Sequence, residues 1–236
     1  MVSENNAKVI EKQNHNIIIL VTIVTIFIVW LIVLRPIFNI DLVHYENSNL
    51  GEKSVPFGEI HSSNALVQQI KTEGNIFVDL IELKLATYAR TNTNKNTIKI
   101  FINKECVFQR DIPSKDLKDN SFYKIENIKL NFNVDDEIYL VLESEDGTPG
   151  NAITAWTRTN IENGKLYRYN KGDGNYVLQD GEVIMKISEE VSTLRYISEK
   201  YLGISPTMAT VLFIVLSVLI ICLLYQFINL KEEEDG

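Results

Sequence analysis

Two long uncharged apolar runs, one near each end, constrain this 236-residue chain more than any other feature. Ile17 to Leu34 reads IIILVTIVTIFIVWLIVL, 18 residues without a charge, a Gly or a Pro. Thr207 to Leu230 reads TMATVLFIVLSVLIICLLYQFINL, again uncharged. Runs of roughly 18 apolar residues or more match the hydrocarbon core of a bilayer when helical, and a buried core helix is the weaker explanation. The first run exceeds the roughly 7–15 apolar residues of a cleavable signal, and Arg35-Pro36-Ile37 follows it in place of a small-residue cleavage site. Membrane spans are therefore expected over 17–35 and 206–230. Pro36 stops the first helix because it cannot continue the hydrogen-bond ladder. Pro206 suits the first turn of the second, where its missing N–H costs nothing.

Two spans put both termini on one side of the membrane. Lys8, Lys12 and Lys231 lie on the terminal side, against Arg35 and Lys200, so the bias of positive charge places the termini in the cytoplasm. The layout that follows has a cytoplasmic tail (1–16), a connector (36–54), an extracytoplasmic β-sandwich (55–188), a linker (189–205) and an acidic cytoplasmic tail (231–236). In the linker, Leu194, Ile197 and Tyr201 fall at helical spacing among charged residues. That pattern reads as a short amphipathic helix, with a plain tether as the alternative.

Ile37 to Leu202 carries 19 Lys and Arg against 25 Asp and Glu, a net charge of −6. No basic stripe is evident, so nucleic acid is not an expected partner, and an acidic face is not drawn to anionic headgroups. Cys106 and Cys222 cannot pair if the second lies in the bilayer, which excludes a disulfide framework and a Cys-based zinc site. An exported domain without disulfides, and without an Asn-x-Ser/Thr acceptor, fits a bacterium or archaeon.

Alternation dominates the middle. Ile76 to Tyr88 puts Phe77, Ile81, Leu83 and Leu85 on one face and Glu82 and Lys84 on the other, with Asp79 on the apolar face. A polar turn is expected at Asn92-Thr93-Asn94-Lys95-Asn96. Further strands are expected over 97–103, 122–132, 138–144, 152–157, 166–169 and 183–188, with turns at Asp135-Asp136-Glu137, Asp146 to Gly150 and Gly172 to Asn175. Many short strands without intervening helices predict a sandwich or barrel rather than a βαβ fold.

From Val67 to Ser188, about half the chain, the sequence resembles the carbohydrate-binding-module-like jelly roll of bacterial membrane proteins, which is similar to galactose-binding-like sandwiches. The resemblance rests on Gln68-Gln69-Ile70, on Asn75 opening a strand that ends Ala86-Thr87-Tyr88-Ala89-Arg90, and on Asp119-Asn120 before Phe122. It continues through Pro149-Gly150-Asn151-Ala152-Ile153 before the Trp156 strand, then Leu166-Tyr167 and Gly181. It implies an all-β jelly-roll sandwich, here flanked by two transmembrane helices, that works with glycan-assembly machinery. No catalytic motif comes with it.

The residues themselves also point away from catalysis. The three His (His15, His44, His61) are scattered, and no HExxH, GxSxG, Walker or GxGxxG motif occurs. Paired carboxylates run glycoside hydrolysis, but here they fall in turns or on solvated faces. Binding fits better. Trp156, Arg158, Tyr167 and Tyr169 lie on neighbouring strands, and Tyr88 and Arg90 end another, which supplies rings to stack on sugars and polar groups to meet hydroxyls. The competing reading makes Trp156 a core residue. Similar folds often hold a structural Ca²⁺, for which Asp119, Asp146 and loop carbonyls are candidate oxygen ligands, against ordinary acidic turns.

Neither uncharged run contains an Asp, Glu, Lys, Arg or His, so neither marks an ion path. Thr22, Thr25, Ala209, Thr210 and Ser217 are candidates for helix packing. The expected protein is thus a non-catalytic two-pass accessory of the cell envelope. Its sandwich meets polysaccharide, a lipid-linked glycan, or a glycosyltransferase, polymerase or flippase. A structural module that binds a larger membrane protein without sugar affinity is the alternative, and a sensor is disfavoured by the short tails.

Overall fold

The computed structural model describes residues 17, 20–29, 40–48, 53–159 and 164–234. The expected cytoplasmic tail 1–16 and the end of the first span, 30–35, lie outside the described residues. The chain divides into two units, one comprising Val43–Glu189 and the other the residues up to 42 and from 190 onward.

The larger unit is built from antiparallel strands. In chain order they are β1 (Ile40–Glu46), β2 (Ser54–Pro56), β3 (Asn64–Ile70), β4 (Ile76–Val78), β5 (Leu80–Ala86), β6 (Lys95–Ile102), β7 (Glu105–Pro113), β8 (Ser121–Ile125), β9 (Leu130–Phe132), β10 (Ile138–Ser144), β11 (Thr154–Arg158), β12 (Leu166–Asn170), β13 (Asn175–Gln179), β14 (Glu182–Val183) and β15 (Met185–Val191). One sheet runs β13-β12-β3-β10-β6-β7. A second runs β1-β15-β5-β11-β14, with β2 on β11 and β8 on β5, and β4 pairs with β9 as a separate two-stranded sheet. The expected all-β sandwich is what forms.

Its core follows the alternation. Leu66, Ile98, Ile100, Leu140 and Leu142 from the six-stranded sheet join Ile81, Leu83, Leu85, Val183, Met185 and Ile187 from the other in one buried cluster. A polar tie crosses it: buried Gln68 on β3 accepts from Val183 N (2.9 Å) on β14 and donates to Gln69 O (2.8 Å). Both ends of the amide are satisfied, which is the condition for burying it at little cost.

Several strand boundaries differ from expectation. The 76–88 run is two strands, because the chain bends at Asp79, whose N–H donates to Ser188 O and whose carbonyl accepts from Ile128 N. The slip changes the face: Val78 rather than Phe77 is fully buried. The 122–132 run also splits, into β8 and β9, where Asn127 and Lys129 take positive φ (58° and 56°) and end the extended path. The 36–54 connector contains β1 and the start of β2. Asn92, Asn94 and Asn96 are not a solvated turn but buried groups. Asn96 Nδ2 donates to Ser114 Oγ (2.8 Å), Ser114 Oγ to Asn94 Oδ1 (2.6 Å), and Asn94 Nδ2 to Ser144 Oγ (3.2 Å). Asn94 Nδ2 also donates to Asn96 Oδ1 (2.9 Å), which closes this network, while Asn92 Nδ2 donates to the Thr87 and Ala152 carbonyls.

In the other unit, α1 (Leu20–Val29) covers the described part of the first apolar run, and α3 (Pro206–Glu234) contains the second. Among the described residues one helix, Pro206–Gln226, is long and apolar enough to cross a membrane, with a mean hydropathy of 2.9. Ser205 Oγ accepts from Met208 N (3.2 Å), so Ser205 caps α3 and Pro206 sits in its first turn, as expected. The hydroxyls of Thr25, Thr210 and Ser217 each donate to the carbonyl four residues earlier at 2.8 Å. That hides their polarity along the helix. In the linker, α2 (Thr193–Ile197), capped by Ser192, runs into a π-turn over Ser198–Leu202 that ends at Gly203 (φ 62°). Ile197, Tyr201 and Leu202 are exposed there.

Candidate functional site

The outward face of the six-stranded sheet is unusually apolar for an exposed surface. On β10 and β3, Leu140 and Leu66 point into the core, so Tyr139, Val141, Ala65 and Val67 point out. Phe101 on β6 stands opposite Tyr139, and Lys99 opposite Val141. Tyr167 on β12 stands opposite Val67, and Tyr169 opposite Ala65. These side chains, with Tyr176 of β13, line a cleft of about 540 Å³.

Within it the rings contact one another. Tyr169 and Tyr176 face each other across β12 and β13 with centroids 4.6 Å apart, and Tyr167 meets Tyr176 edge-on at 6.3 Å. Such pairs hold ring orientation, and each is worth about 0.5–1.5 kcal/mol beyond its burial. Burial raises the Tyr139 phenol above its ordinary pKa, and the Glu137 charge adds to the effect. The phenol therefore stays protonated at neutral pH and can donate.

One end of the cleft is charged. Glu143 accepts from Lys99 Nζ (2.6 Å) and Lys171 Nζ (2.8 Å), one on each carboxylate oxygen. Burial pushes the Glu143 carboxyl up, but the two ammonium partners outweigh it and hold the group below the usual carboxylate range. The hydrogen bond to Glu143 raises Lys99 in turn. At the other end Lys104 and Glu137 complete the lining. Lys104 is placed by the two-residue loop Asn103–Lys104 between β6 and β7, where both residues have positive φ (50° and 74°), the requirement of a type I′ hairpin turn.

Of the residues expected to bind, only Tyr167 and Tyr169 lie here. Trp156 is half-buried on the outer face of the opposite sheet; its Nε1 donates to Asn120 Oδ1 (2.9 Å), and Lys84 Nζ lies 5.7 Å from its ring. It is therefore neither a core residue nor part of the cleft. Arg158 is 2% exposed and ion-paired with Glu182, which is 0% exposed, so it is not available to a ligand. Arg90 pairs with Glu59 (2.6 Å) and lies over the Tyr88 ring (4.7 Å). Glu59 also accepts from Gly150 N, so this group ties two loops together.

Asp119 and Asp146 serve different turns. Asp119 Oδ1 accepts from Thr87 N (2.6 Å) and Thr87 Oγ1 (3.2 Å), at the turn where Tyr88 and Ala89 take positive φ. Burial raises its carboxyl, but the backbone donors of Thr87, Ala89 and Tyr88 outweigh that and lower it. Asp146 Oδ1 accepts from Lys95 N (2.8 Å). Among the described residues no three His, Cys, Asp or Glu side chains gather as a metal site would need.

Sequence reasoning missed Tyr139, Tyr176, Phe101, Lys99 and Glu143. The available signal was the unbroken apolar run Ile138 to Leu142: an antiparallel strand with one solvated face should alternate, and this one does not.

Fold and cleft together define an antiparallel β-sandwich with an aromatic recess on one outer face. No protein-family model matches the chain, and none of the curated proteins does. Among solved structures, the infectious bursal disease virus VP2 subviral particle is similar at 12% identity with a TM-score of 0.19, over 64% of this chain and 38% of that one. At that score the likeness bears on neither fold nor function.

Proposed function

We propose that this protein is a non-catalytic, two-pass membrane accessory of the bacterial cell envelope whose extracytoplasmic sandwich, a jelly roll, binds glycan in the Tyr139–Tyr167–Tyr169–Tyr176 cleft. The observation that carries the reading is the cleft itself. It offers several ring faces of fixed orientation beside protonated phenol and ammonium donors, the combination that meets the apolar and hydroxylated faces of a sugar. The uncharged runs at 17–34 and 207–230 support two anchors, with α3 the stronger case. A glycosyltransferase, polymerase or flippase is the natural neighbour of such a domain.

The test is a glycan array probed with the full-length protein in nanodiscs. Binding to an envelope polysaccharide or a lipid-linked precursor, lost in Tyr169→Ala/Tyr176→Ala, supports the reading; no binding to any glycan refutes it. One observation favours a second reading, in which the sandwich docks a larger membrane protein and has no sugar affinity. β13 is an edge strand with no charged residue, and Tyr176, Val177 and Leu178 on it are exposed. An open edge of this kind accepts another chain's strand.

A further inference from the structure

We infer that the glycan taken by this cleft is an extended acidic one, carrying carboxylate or phosphate groups along its chain; the inference rests on the glycan reading above. Charge is the first argument. The whole chain has a net charge of −8, yet the cleft is lined by Lys99 and Lys104 against Glu137 and Glu143, and Lys171 closes on Glu143 from its rim. The local balance is three cations to two anions, reversed from the rest of the molecule. Glu143 does not repel an anion as a bare carboxylate would, because each of its oxygens already faces an ammonium group. A Lys ammonium has three donors, so Lys99 and Lys171 keep N–H groups to offer after binding Glu143.

Shape is the second argument. The positive groups stand at both ends of the aromatic floor. Lys99 and Lys171 flank the Glu143 end of β10, and Lys104 stands near its Glu137 end. Six residues of strand separate Glu143 from Glu137, which is roughly 20 Å at the rise of a β-strand. A single sugar cannot touch both ends, whereas an oligomer with repeated anionic groups lies along the rings and reaches a lysine at each.

Lys104 makes the idea testable without endangering the fold. It is exposed, and its left-handed backbone (φ 74°) is one that Asn adopts more readily than Lys. Lys104→Asn therefore removes the charge and keeps the turn. Full-length protein in zwitterionic nanodiscs is titrated at low salt with polygalacturonate, a phosphodiester-linked glycan and neutral galactan. At least one anionic polymer is expected to bind about tenfold tighter than galactan or better, with the preference shrinking as the Debye length falls. Lys104→Asn is expected to weaken that polymer roughly two- to fivefold, the size of an exposed ion pair, and to weaken galactan by less. Which anionic polymer prevails separates carboxylate from phosphate. Galactan binding as well as both overturns this inference and leaves the glycan reading standing. Failure of all three to bind, with no glycan bound on the array, overturns both.

Discussion

Arg158 and Glu182 make the sharpest test of how the sandwich is held together. Arg158 Nε and one terminal nitrogen approach Glu182 Oε1 at 2.7 and 2.6 Å, and the two side chains are 2% and 0% exposed. In such a site the pair gains little over a well-packed apolar pair, but removing one member leaves the buried charge of the other uncompensated by an opposite charge, at about 3–5 kcal/mol. Arg158→Met does that to Glu182. Against a domain stability of about 5–15 kcal/mol the loss is large. For a protein of this size each kcal/mol moves Tm by roughly 2–4 °C, so the variant should melt about 6–20 °C lower. Arg158→Met/Glu182→Leu removes both charges and should recover most of the loss. The measurement is thermal unfolding of the full-length chain in detergent, followed by near-UV circular dichroism, with glycan binding measured well below both transitions. A single-variant shift under about 3 °C, or a double variant no better than the single, refutes the buried-pair argument. A single variant that melts normally but no longer binds glycan would return Arg158 to the ligand site.

Tyr169→Ala should weaken glycan binding roughly 10- to 30-fold by isothermal titration, whereas Trp156→Ala, on the opposite face, should leave it unchanged. Because the fold lowers the Glu143 carboxyl, its contribution to stability is complete above its unfolded pKa near 4.3 and fades as pH falls through the lower folded value. Denaturation midpoints measured from pH 6 to pH 3 should therefore fall, and Glu143→Gln should flatten that acid limb; an unchanged limb contradicts the assignment. Gly181→Ala should be severely destabilising, by about 1–3 kcal/mol from backbone strain alone, because Gly181 has φ 98° and an added Cβ would lie 2.0 Å from Arg158 O. Urea titration checks it.

The fold class was legible because the residues that carry it obey a simple rule. Leu66, Ile98, Ile100, Leu140 and Leu142 sit two apart on their strands and all face inward. Boundaries were less legible where backbone geometry decides them. The bend at Asp79 is made by backbone hydrogen bonds to Ser188 and Ile128, residues distant in sequence, and nothing local announces it. β7 was missed for a related reason. Its turn is Asn-Lys rather than the usual Asn-Gly, and as an edge strand it buries only Ile112, so it has no apolar alternation to read. Asn92, Asn94 and Asn96 were misread because composition alone cannot distinguish solvated amides from amides that bond to groups inside the fold.

The candidate site was half legible, and β12 explains why. Leu166, Tyr167, Arg168 and Tyr169 alternate, and polarity alone would turn the arginine outward. The chain does the reverse. Arg168 turns in, donates to the Phe57 carbonyl and lies over the Phe57 ring at 4.2 Å, while Tyr167 and Tyr169 turn out into the cleft. A half-buried arginine needs an acceptor and a ring face, and Phe57 just after β2 supplies both. The outward tyrosines lie beside Val67 and Ala65, and each meets the ring of Tyr176. Trp156 and Arg158, on the strand just before β12 in sequence, belong to the other sheet, so nearness along the chain misled where parity and sheet membership decide. An inward arginine beside outward aromatics is the local pattern that turns these rings into the cleft, and Tyr169→Ala tests whether a ligand uses them.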